Sequence, residues 1–106
     1  MPTPLTVRTD RRVDGTAVLS AAGELDLSNI DTFTDAIAAA VGMRSQEAGR
    51  LTVDLTAVEY LDSGAINVLF DHAAQIRRIV ANPILMSVLT ISGLTSVADV
   101  QAAEGD

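Results

Sequence analysis

The hydrophobic positions of this chain change period several times, and each change marks an element. Residues 5–8 (LTVR) and 16–23 (TAVLSAAG) read as two strands around Asp14-Gly15, a pair that supplies the positive φ of a tight hairpin turn. The second strand is small and apolar on both faces, the expectation for a central, covered strand. Ile30, Phe33, Ile37 and Val41 then recur at spacings of 3, 4 and 4, which predicts an amphipathic helix. Ser28 with Asp31 gives it a capping-box-like start and Gly42 a stop. Residues 43–50 are polar and read as a loop.

Leu51, Val53 and Leu55 alternate with Thr52 and Asp54, a third strand, followed by an apparent loop TAVEYLDSG. Ile66, Leu69, Phe70 and Ala73 return to helical spacing, with Asp62 or Ser63 as the N-cap. IRRIVA over 76–81 predicts a fourth strand. Asn82-Pro83 reads as a cap and first-turn proline opening a third helix that carries Ile84, Val88 and Ile91 and closes at Ser92-Gly93. A last short strand is expected around Val97 to Val100. The order β-β-α-β-α-β-α predicts an α/β domain: a mixed sheet of about four to five strands, with parallel pairs joined by helices packed on it.

Composition narrows the chemistry. The 106 residues include no cysteine, which removes disulfides, thiolate metal sites and cysteine nucleophiles, and a single histidine, His72. A net charge of −7 opposes non-specific nucleic-acid binding, which needs clustered cations. All seven cations are arginine. No glycine loop suited to phosphate is present, so no cofactor, metal or catalytic group is expected. Residues 1–12 lack the apolar stretch of a signal peptide, and the best apolar run, Ile84 to Ile91, is broken by Ser87 and Thr90. These features predict a cytoplasmic protein without membrane insertion, folded as one domain over 1–106.

Three short segments carry candidate chemistry. In Asp62-Ser63-Gly64, Ser63 reads either as an N-cap hydroxyl or as a regulated hydroxyl at a helix N-terminus, where free N–H groups and the dipole favour an anion. Tyr60 to Ala65 also resembles the active-site turn of retroviral-type aspartic proteases, which pair two such aspartates. That fold is all-β, and the helical periodicity over 64–74 argues against it. Gly23-Glu24-Leu25-Asp26 is either a solvated turn before Ser28 or a carboxylate pair, whose two acids point to opposite faces if extended and so do not share a proton. Asp54 reads as the end of a strand, as able to bond loop backbone as to do chemistry.

The order of these segments is more specific than any one of them. Gly23-Glu24-Leu25-Asp26, Val53-Asp54-Leu55 leading into Tyr60-Leu61-Asp62-Ser63-Gly64, then Asn82-Pro83 and Ile91-Ser92-Gly93-Leu94, resemble a STAS domain of the bacterial anti-sigma factor antagonists, from about residue 5 to residue 100. The resemblance implies a non-enzymatic regulator of transcription that binds an anti-sigma factor and releases a sigma factor. It also implies a partner with an ATP-binding serine-kinase fold and a phosphatase that reverses its action. By the same resemblance Ser63 is the phosphorylated position, and Glu24, Asp26, Asp62, Ser63, Gly64 and Ala65 face the partner. STAS domains also serve as non-enzymatic regulatory subunits of membrane transport complexes for lipids or anions, a second expectation. Residues 24–71 hold nine acids against Arg44 and Arg50, so the whole net charge of −7 falls on the segment bearing both motifs. A basic protein surface is the partner this predicts.

Overall fold

A computed structural model describes residues 4–11, 13, 16–43 and 51–103. Asp14-Gly15 and the greater part of the polar segment after Gly42 lie outside the described residues. Among the described residues five strands form one mixed sheet in chain order: β1 (Leu5–Arg11), β2 (Ala17–Leu25), β3 (Leu51–Leu61), β4 (Ile76–Ala81) and β5 (Val100–Ala102). β1 and β2 are antiparallel, and every later pair is parallel. The helices are α1 (Ile30–Met43), α2 (Ser63–Asp71) and α3 (Met86–Ile91), the last preceded by a 3₁₀ turn, Pro83–Leu85.

Sequential parallel strands joined by right-handed crossovers place all their helices on one face. One core results: Phe33, Ile37 and Ala40 of α1 and Ala65, Ile66 and Leu69 of α2 pack with alternate residues of the strands, among them Leu19, Val53, Leu55 and Ile79. The opposite face is open. Thr6, Arg8, Ser20, Ala22, Asp54 and Thr56 line a shallow depression there of about 220 Å³. β2 is therefore central, as its composition predicts, but the helices cover only one of its faces.

The α1 stripe and the bounds of β4 match the expectation, and three elements depart from it. β3 runs six residues beyond Leu55 instead of breaking into a loop. Two irregularities explain this: between Ser20 and Ala22 of β2, β3 advances from Asp54 to Ala57, and between Gly23 and Glu24 it advances from Val58 to Tyr60. Each inserts one extra residue into β3. Its buried positions after Leu55 are consequently Val58 and Leu61, a spacing of three that hides the strand. Asp54 thus lies within the strand, where its carboxylate accepts from the Thr56 N–H at 2.9 Å and hydroxyl at 2.6 Å.

The second departure is α3. Asn82 caps the turn as predicted, accepting from the Ile84 N–H at 3.2 Å. The buried residues, however, are Leu85 and Leu89, while Ile84 and Ile91 are 65% and 85% exposed. Third, the last strand begins only at Val100, because Leu94–Ser96 winds into a 3₁₀ turn.

Candidate functional site

The two recognition segments meet at the C-terminal ends of β2 and β3. Their register sets Glu24 against Tyr60 and Leu25 against Leu61. Past that pair the Asp62 N–H donates to the Leu25 carbonyl at 3.1 Å, tying the start of α2 to the end of β2.

Asp62, not Ser63, is the N-cap of α2. Its backbone is extended, with φ −99° and ψ −178°, and its side chain accepts from the Ala65 N–H at 3.1 Å. A cap of this kind satisfies one of the helix's free donors. Ser63 becomes the first helical residue and is exposed. A methyl added to Gly64 would lie 3.3 Å from Asp62 Oδ1 and 3.6 Å from Leu27 Cδ2, so Gly64 keeps this corner narrow. Ala65 is fully buried and contributes its N–H rather than a contact surface.

The β2–α1 turn is organised by a residue that sequence reasoning passed over. Asn29 is buried, and its side-chain amide donates to the Glu24 carbonyl at 2.8 Å while its Oδ1 accepts from the Asp26 N–H at 3.1 Å. Its own carbonyl receives the Phe33 N–H at 3.3 Å, so α1 starts from Asn29 and not from Ser28. Ser28 instead donates both its N–H and its hydroxyl to Asp26 Oδ1, at 2.8 and 2.6 Å. The signal available was the cap preference of asparagine, shared with the serine beside it. Glu24 is exposed and Asp26 half-buried.

The assembled surface thus presents Glu24, Asp26, Asp62 and the Ser63 hydroxyl around the N-terminus of α2, with Leu27 and Tyr60 exposed nearby. His72 lies at the other end of that helix, its Nδ1 2.9 Å from the Val68 carbonyl oxygen. Among the described residues no group of three His, Cys, Asp or Glu side chains is placed to hold a metal. Nor is any described helix long and apolar enough to cross a membrane.

This architecture and this pair of turns define a class. Residues 9–99 match the family described as "Mlab, STAS domain", and the chain belongs to the STAS-domain family. No curated protein matches the chain. Among solved structures it is similar to an anti-sigma factor antagonist from Mycobacterium paratuberculosis, with 25% identity, 92% of this chain and 86% of that one covered, and a TM-score of 0.80. A putative anti-sigma factor antagonist from Thermotoga maritima shares the fold at 16% identity, over 92% of this chain and 86% of that one, with a TM-score of 0.69. So does the Bacillus cell fate determinant SpoIIAA in its phosphorylated form, at 18% identity, over 93% and 92%, with a TM-score of 0.62.

Proposed function

We propose that this protein is an anti-sigma factor antagonist. With Ser63 unmodified, it binds an anti-sigma factor through the N-terminal turn of α2 and the end of β2, frees a sigma factor and raises transcription. The partner is an ATP-binding serine kinase that phosphorylates Ser63 and so ends the complex; a phosphatase restores it. The working unit is one STAS domain over 1–106 in the bacterial cytoplasm, with no catalytic residue, cofactor or metal of its own.

The observation that carries this reading is the placement of Ser63: an exposed hydroxyl on the first turn of a helix, beside a carboxylate already committed to the cap. Phosphorylation there adds about −1.5 to −2 charges next to Asp62. In a fitted interface repulsion and desolvation of this kind cost several kcal/mol. Since roughly 1.4 kcal/mol is tenfold in affinity, such a penalty is ample to separate the partners. Glu24, Asp26 and Asp62 supply the acidic complement to a basic surface, with Gly64 and Ala65 shaping the turn.

The test is incubation with the cognate anti-sigma kinase and ATP, followed by peptide mass spectrometry and a binding assay. The expected result is one phosphoryl group on Ser63 with loss of the complex, and a Ser63→Ala variant that binds but is not released by ATP. A wild-type chain that binds its partner yet never carries phosphate on Ser63 overturns the switch. A second reading of the same domain is a non-enzymatic STAS regulatory subunit of a membrane transport complex for lipids or anions. Co-purification from native extract separates the two. A kinase-like ATP-binding partner supports the first reading, and a transporter ATPase supports the second.

A further inference from the structure

β1 is an edge strand whose charge pattern fits a second copy of itself. Among the described residues it pairs only with β2. The Glu24 N–H donates to the Pro4 carbonyl at 3.2 Å, one step beyond the Leu5–Gly23 pair in the same register. Hydrogen-bonded and non-bonded pairs alternate along an antiparallel ladder. Thr6, Arg8 and Asp10 therefore turn their backbone groups toward β2, and Leu5, Val7, Thr9 and Arg11 turn theirs toward the free edge. Such a row of outward N–H and C=O groups is a template for another strand.

A second β1 can add to this edge about a two-fold axis only in registers that set odd-numbered residues opposite odd-numbered ones. With the axis at Thr9, Arg8 stands opposite Asp10 of the second copy, and Asp10 opposite its Arg8. Moving the register one step sets Arg8 against Arg8, and one step the other way sets Asp10 against Asp10. These are non-bonded pairs, in which side chains come closest. Like charges there are destabilising and opposite charges stabilising. Both side chains are largely exposed, at 75% and 52%, and form an ion pair with each other 3.2 Å apart, a surface contact that can exchange for one across the new pairing.

We propose that the protein forms a two-fold dimer in which β1 pairs antiparallel with β1 of a second copy, centred on Thr9. The two sheets become continuous with both helical layers on one side. α2 follows β3, the third strand in from this edge, and stays open. The proposal does not depend on the function assigned to Ser63.

Sedimentation of the full chain at low salt over a wide concentration range is the test. The expected result is a monomer–dimer equilibrium whose dissociation constant rises about tenfold or more in Arg8→Asp, where acid meets acid twice. The double variant Arg8→Asp/Asp10→Arg restores it. In the wild type, amide exchange at Val7 and Thr9 slows as concentration rises while that at Arg8 and Asp10 is unchanged, a readout that needs no variant. A chain monomeric at every concentration, an Arg8→Asp variant that dimerises like wild type, or a charge swap without recovery overturns the proposal.

Discussion

Asn29 holds the end of β2 closed against the start of α1, and its replacement should show at both. Asn29→Leu keeps the branched shape but removes the side-chain partners of the Glu24 carbonyl and the Asp26 N–H. Each buried group left unmet costs about 1–3 kcal/mol, so urea denaturation should show a lower midpoint with an unchanged slope. Gly23 is constrained differently. Its φ is +113°, and a Cβ there would overlap the Pro4 carbonyl oxygen. Gly23→Ala should therefore destabilise by about 1–3 kcal/mol. Gly42, with open space around it near the end of α1, gives the control: Gly42→Ala should stabilise by about 0.5 kcal/mol. At this scale the sequence displays its candidates but not the choice among them. Ser28 and Asn29 are both good caps, as are Asp62 and Ser63. The selection falls to the backbone path, which points Asn29 inward and leaves Ser63 one position into its helix.

At the scale of elements, α3 shows where periodicity stops being informative. Ile84, Val88 and Ile91 form one apolar stripe, and Leu85 and Leu89 form another. A short helix apolar on two sides can present either to the sheet; here Leu85 and Leu89 are the buried pair. Leu89→Ala is expected to cost about 2–5 kcal/mol, whereas Ile91→Ala, on the exposed side, should stay within about 0.5 kcal/mol; thermal melts of the two distinguish the faces. α1 was legible because its apolar stripe is flanked by Asp31, Thr32 and Asp35, leaving one face to bury. β4 was legible because IRRIVA is bounded by Gln75 and Asn82-Pro83. The end of β3 was not, since each extra residue in it shifts the inside–outside alternation that identifies a strand.

For the whole molecule, the one-sided sheet separates two kinds of surface. The acidic corner of Glu24, Asp26, Asp62 and Ser63 stands at the C-terminal ends of β2 and β3, where the chain leaves the sheet for its helices. The open side is a field of small and polar residues with Arg8, Asp10, Asp54 and Arg78. The acidic corner should make association salt-dependent. Raising ionic strength from about 0.05 to 0.5 M should lower the on-rate for a basic partner by roughly tenfold or more, as stopped-flow mixing would measure. An on-rate indifferent to salt would remove charge from the account of recognition. Which strands and helices the chain forms, and where its two motifs fall, could be read in advance. That the motifs share one corner could not, because it rests on a pairing between β2 and β3 that spans thirty-six residues of chain, from Glu24 to Tyr60.

The bond from the Asp62 N–H to the Leu25 carbonyl has a consequence in time. It holds the two turns as one body before any partner arrives, so an encounter meets a finished surface and no loop has to order first. A preformed surface leaves the search to diffusion and charge, and most differences in affinity then appear in dissociation. Modification of Ser63 should accordingly end the complex by shortening the time the two stay together, whatever its added charge does to the encounter. The lifetime of the complex is what the switch would set.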